Sequence, residues 1–244
     1  MTPQSAAAHG AGATPRANAG NAAPLLRASF AVGECPAPST VDAQLALAQI
    51  YLDRQQMQAA FGMIGVAARS GDARALNMLG RAYERGWGVA QNLTLAVRYF
   101  EMAARQNYGW AFFNLADLCL AGHGLARDVG RAHTLYVKAA QAGVAKALNM
   151  LGLLHEDNTP TGRDTARQYY AAAADAGDCW GALNMARLAM QDGNARVAQE
   201  FFNTALQTGF GVCFMAMQKL LVFMPEPYRA DLLARTEQRL RKQP

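Results

Sequence analysis

The chain has 244 residues, 52% of them hydrophobic, and a formal charge of +5. That is enough to bury a sizeable core in one or two domains, and no apolar run approaches the roughly 18 residues needed to span a bilayer, so membrane insertion is not expected. Basic residues alternate with acidic ones instead of forming blocks, which argues against a nucleic-acid footprint; only the C-terminal segment, with Arg229, Arg235, Arg239, Arg241 and Lys242, is locally basic.

Residues 1–40 are rich in Ala, Gly, Pro, Ser and Asn and show no periodicity, so they read as a disordered leader. Ala6 to Ala8 are followed at once by His9 and Gly10, which rules out the continuous apolar core of a Sec signal peptide. Cytoplasmic residence is the expectation; the alternative is a leader read by a specialised secretion system. Cys35, Cys119, Cys179 and Cys213 have no CxxC or other metal-ligand spacing, so neither a metal, a cofactor nor a disulfide is expected. Cys119 falls on an apolar helix face and reads as a small buried hydrophobe.

From residue 41 the chain reads as helix pairs. Segments 41–52 and 57–69 form a degenerate first unit, about 41–71. In the unit spanning about 72–107, Ala75, Leu76, Leu79, Gly80 and Tyr83 share one face of a first helix. Ala96, Tyr99, Phe100, Ala103 and Ala104 then fall at i, i+3, i+4, i+7 and i+8 of a second. Gly86-Trp87-Gly88 joins the two, with glycines free to take positive φ.

The same pattern returns along the chain. The tetrapeptide Ala-Leu-Asn-Met starts at Ala75, Ala147 and Ala182, and the first two copies are 72 residues apart, twice 36. In the unit about 108–143, Leu115, Gly122-His123-Gly124, Ala132 and Ala139-Ala140 stand 36 after their counterparts. The unit about 144–177 carries Leu151, Ala166, Tyr169, Tyr170 and Ala173, with 158–162 in place of the Gly-x-Gly turn. The unit about 178–209 turns at Asp192-Gly193-Asn194 and has Phe201, Phe202 and Ala205 in its second helix. Segments 212–223 (in a unit about 210–224) and 227–241 (in a capping segment 225–244) read as a closing pair whose charged last helix faces water. Helices of about 13 residues are marginal alone, so each pair must stack on its neighbours.

Ala75-x-x-x-Leu79-Gly80-x-x-Tyr83-x-x-Gly86-x-Gly88-Val89, followed by Ala96-x-x-Tyr99-Phe100-x-x-Ala103-Ala104, resembles the Sel-one-like repeat, a relative of the tetratricopeptide repeat. The resemblance covers 73–143 closely and extends to about 209. It implies an all-α, right-handed superhelical solenoid of antiparallel helix pairs over 41–224, used as a scaffold or adaptor, often in bacteria. Some members of that family carry paired, disulfide-bonded cysteines in each repeat, and this chain departs from that pattern.

In such solenoids the outward face of the first helices lines the concave surface. Here that face carries Asn77, Met78 and Arg81, then Trp110, Phe113 and Asn114, then Asn149, Met150 and Leu153, and finally Asn184, Met185 and Leu188. Side-chain amides suit an extended peptide backbone, and Met and aromatic rings fill irregular apolar contacts. A protein or peptide partner is therefore the expectation. The same side chains could instead pack on the neighbouring first helix.

No catalytic set emerges. Of His9, His123, His133 and His155, none has metal-ligand spacing, and His155 takes the place of Tyr83, which suggests a core or turn-facing role. The serines Ser5, Ser29, Ser39 and Ser70 all lie outside the well-formed repeats, no Gly-x-Ser-x-Gly elbow occurs, and no Gly-Lys-Ser/Thr follows the turn glycines. A non-enzymatic interaction scaffold is the expectation. The alternatives are a secreted effector or envelope-assembly factor on the same solenoid and a glycan-binding module suggested by Trp110, Phe113 and Trp180.

Overall fold

The computed structural model describes residues 39–157 and 159–242. The leader 1–38, with Cys35, lies outside them, as does Asn158. Twelve α-helices and no strand occur among the described residues: α1 (Thr40–Asp53), α2 (Met57–Ala68), α3 (Ala73–Arg85), α4 (Leu93–Ala104), α5 (Gly109–Ala121), α6 (Val129–Gln141), α7 (Ala145–His155), α8 (Pro160–Asp175), α9 (Cys179–Gln191), α10 (Ala195–Thr208), α11 (Gly211–Leu221) and α12 (Tyr228–Arg241). Each odd helix packs on the even helix that follows it, and each pair packs on the next, which makes a solenoid of six antiparallel hairpins.

Short polar side chains start these helices. Asp72, Asn92, Asp128, Asp178 and Asn194 accept backbone N–H bonds in the first turns of α3, α4, α6, α9 and α10. The first helix begins one residue inside the expected leader, because Ser39 and Asp42 form a reciprocal capping box. At the other end of α3 and α5, Gly86 and Gly122 both adopt φ of 73°, in the left-handed region.

The second glycine of each turn has another role. Gly88 lies against the backbone of Met57 at the start of α2, and Gly124 against that of Leu93 at the start of α4. Each turn thus docks on the second helix of the preceding pair. The described residues of the connection between α7 and α8 lack this device: Glu156, at the end of α7, is extended, and Pro160 opens α8 behind a Thr159 cap.

The core repeats as well. Phe100, Tyr136, Tyr170 and Phe202 occupy the same position of α4, α6, α8 and α10 and are fully buried; burying each ring stabilises the array by about 2–3 kcal/mol before entropy is counted. Opposite them stand small residues. A Cβ on Gly80 would lie 2.6 Å from the Phe100 ring and one on Gly152 2.5 Å from that of Tyr170. The last hairpin closes the array through Leu232 and Thr236, both buried, while Arg235, Asp231, Glu237 and Arg241 pair on the exposed side of α12. Cys119 is fully buried, as its position on the apolar face requires.

Candidate functional site

The first helices α5, α7 and α9 are clamped by hairpins on both flanks, so each leaves only about one accessible side chain per turn. On α5 this stripe is Trp110, Asn114 and Asp117; on α9 it is Trp180, Asn184 and Arg187. Both follow an i, i+4, i+7 spacing, which keeps them on one line of the helix surface. Lys146, Met150 and Leu153 form the same stripe on α7, and Arg74, Met78 and Arg81 on α3.

Five of the twelve residues expected on this face, Asn77, Met78, Arg81, Trp110 and Asn114, meet in one cleft of about 260 Å³, together with Leu45, Arg74 and Tyr108. Trp110 is 45% exposed and packs its ring edgewise on Phe113. The Arg81 guanidinium lies 5.3 Å from the centre of the Trp87 ring and has no carboxylate partner among the described residues. Arg74 is committed instead, bonding Asp42 at 2.6 Å and Asp72 at 2.9 Å. The Arg74 guanidinium holds the Asp72 carboxyl below its usual range, and the Ser39 and Arg74 bonds do the same for Asp42. Burial pushes the Tyr108 phenol up.

The asparagines pair across hairpins. Asn114 Nδ2 donates to Asn77 Oδ1 at 2.8 Å, and Asn184 Nδ2 donates to Asn149 Oδ1 at the same distance. Each bond leaves one amide N–H₂ and one amide oxygen outside the pair, and in the second bridge that oxygen, Asn184 Oδ1, accepts from the Arg187 guanidinium at 3.4 Å. The leftovers of the first bridge match the C=O and N–H of one peptide unit.

Two ionised or polar pairs border the stripes. The Tyr136 hydroxyl donates to Asp117, whose pKa burial raises despite that bond. Burial also works against the Glu156 carboxylate, but bonds from Arg187 and from the Tyr170 hydroxyl, both 2.6 Å, outweigh it and hold its pKa low.

Three expected contact residues are corrected here. Phe113, 3% exposed, packs against the Tyr136 ring inside the α5/α6 core. Leu188, 1% exposed, and Met185, 9% exposed, pack with Ala166 and Tyr170. A helix covered on both sides has no room for an accessible band two residues wide, so these side chains turn inward. Met150 is half-buried and Leu153 46% exposed, and both remain on the stripe. Asn149, 5% exposed, reaches it only through its amide. Arg187 and Trp180 lie on this stripe although neither is among the residues expected there; the 70-residue step from Trp110 to Trp180 is the signal in the sequence that points to the second. Trp87 packs against the buried cluster of Ala48, Ile64, Leu79 and Ala82, which spans the first two hairpins.

A Sel1 repeat model matches the chain three times, at residues 73–108, 112–144 and 145–178. No curated protein matches the sequence. Among solved structures, the chain is similar to a Sel1 repeat protein from Oxalobacter formigenes (TM-score 0.66, 20% identity, 81% of this chain and 87% of that one). It is also similar to a protective antigen of uropathogenic Escherichia coli with an SLR fold (TM-score 0.64, 21% identity, 81% of this chain, 46% of that one). An immunity protein from Pseudomonas aeruginosa superposes with TM-score 0.61 at 15% identity, covering 85% of each chain. At these identities the likeness is one of fold.

Proposed function

The chain carries three tandem Sel1 repeats between residues 73 and 178, a repeat commonly used for protein interaction, and from that premise we propose that it is a non-enzymatic scaffold that takes an extended peptide segment along the stripes of α3, α5, α7 and α9. The observation that carries this reading is the pair of amide bridges, Asn77–Asn114 and Asn149–Asn184. The first leaves a spare donor and acceptor beside the aromatic anchor Trp110, while beside Trp180 the Asn184 oxygen is shared with the Arg187 guanidinium. Amides of this kind bind any backbone, while the aromatic rings and the unpaired Arg81 discriminate among side chains.

The test is selection from a displayed random-peptide pool on the immobilised full chain. Enriched peptides should lose at least tenfold in affinity for Trp110→Ala and for Arg81→Ala, both at exposed positions, with unchanged far-UV circular dichroism. Peptides that bind these variants as well as the parent would place recognition elsewhere.

A further inference from the structure

The array contains one ring cluster twice, with different chemistry. At the joint between the first two hairpins, Phe61 of α2 meets Tyr83 of α3 edge-on at 5.7 Å and 87°, and Tyr83 stacks on Tyr99 of α4 at 5.6 Å and 4°. Seventy-two residues after Phe61 and Tyr83 stand His133 of α6 and His155 of α7, with Tyr169 of α8 in the place of Tyr99. His133 meets His155 edge-on at 5.1 Å and 81°, and His155 stacks on Tyr169 at 5.3 Å and 17°. The packing is the same in both joints. One period after the first, the same register holds Val97, Cys119 and Leu135, so the fold accepts non-aromatic side chains there too and has no need of ring nitrogens.

In the histidine version the two Nε2 atoms converge to 3.0 Å. Both histidines are half-buried. Two imidazoles bound to one tetrahedral ion, with metal–nitrogen bonds of 2.0–2.1 Å, hold their nitrogens about 3.3 Å apart. A widening of a few tenths of an ångström would admit the ion without moving either helix. We propose that His133 and His155 form a two-imidazole site for a borderline divalent transition ion such as Zn²⁺ or Ni²⁺, stapling the hairpin α5–α6 to α7–α8.

In the present hydrogen bond one Nε2 donates and the other accepts. Binding requires the donor ring to change tautomer, so that its proton sits on Nδ1 and both Nε2 lone pairs point at the ion. No group of three or more His, Cys, Asp or Glu side chains is placed for a metal among the described residues. The remaining coordination positions therefore go to water, and they stay open to a donor from a bound partner.

The first joint supplies its own control. His133→Phe with His155→Tyr rebuilds the Phe61–Tyr83 pair and keeps the packing while removing both nitrogens. Untagged full chain is titrated with ZnCl₂ and, separately, NiCl₂, and followed by calorimetry and thermal melting. The expected result is saturable 1:1 binding and a rise in melting temperature, both reduced at least tenfold in apparent affinity in the double variant. Independently of any variant, substoichiometric Ni²⁺ should broaden the ring resonances of His133 and His155 in the parent chain before those of His9 and His123. No saturable binding up to about 1 mM metal, equal binding by the double variant, or broadening confined to His9 or His123 would each overturn the proposal and leave the pair a hydrogen bond alone.

Discussion

Gly124 is pressed against the start of the neighbouring hairpin: a Cβ added to it would come within 2.7 Å of the Leu93 carbonyl oxygen. Gly88 stands in the same relation to Met57. Both also hold positive φ, 76° and 65°. Gly86, by contrast, needs its φ of 73° but has no neighbour nearer than 3.4 Å to an added Cβ.

Gly86→Ala should therefore cost about 1 kcal/mol, the conformational term alone. Gly88→Ala and Gly124→Ala should cost about 3 kcal/mol or more, because backbone overlap adds to it. Chemical denaturation of the three variants measures the difference. Equal losses would mean that the turns do not dock on the preceding hairpin.

Asn114→Ala removes the donor to Asn77, an asparagine only 7% exposed. The loss should be about 1–3 kcal/mol, since a buried amide is left without its partner. Removing both with Asn77→Ala should cost clearly less than the sum of the single changes. A double-variant cycle by thermal or urea melting reads the coupling, and strict additivity would show that the bridge is absent in solution.

Asp117 gives a pH dependence of definite sign. Burial raises its folded-state pKa above the ordinary 3.8, so the folded chain binds its proton more tightly than the unfolded one. The resulting stabilisation is present below the unfolded pKa and is lost as pH rises through the folded value. Asp117→Asn keeps an oxygen for the Tyr136 hydroxyl and removes the buried charge. It should raise stability at pH 7, by about 1.4 kcal/mol for each tenfold difference in proton affinity, and the advantage should vanish toward pH 3. A variant no more stable than the parent at pH 7 would contradict this account.

Gly80→Ala forces a methyl group into the Phe100 ring and should cost about 1–3 kcal/mol. Phe100→Leu, damaging alone, should cost less in that background, because the smaller side chain makes room. Denaturation midpoints of the four proteins in the cycle decide it.

Much of this architecture was legible in the residues, because a period of 36 repeats small residues, rings and turn glycines together. The period placed Gly86, Gly122 and the buried rings at 100 and 170 in their correct roles. It also set Asn77, Met78, Arg81, Trp110 and Asn114 on one expected face, and the structure brings these five into one cleft. What the pattern could not show is the width of the open stripe, which depends on how closely the flanking hairpins approach. Phe113, Met185 and Leu188 look outward on a helical wheel and are covered by those flanks. The meeting of His133 with His155 was hidden for another reason: the two are 22 residues apart on different hairpins, and only the stacking of one pair on the next brings their nitrogens together. Ser39-x-x-Asp42 was a visible cap signal, masked by the composition of the leader around it.

The docking of Gly88 and Gly124 on the hairpin before them constrains how such a chain can change length. Adding one residue to either turn would unseat a neighbour as well as lengthen a loop, so growth or loss there must proceed by whole repeats. The described residues of the connection between α7 and α8 carry no such anchor, and Gly193 in the turn between α9 and α10 has nothing within 4 Å of an added Cβ, so single-residue insertions should be better tolerated in these two connections.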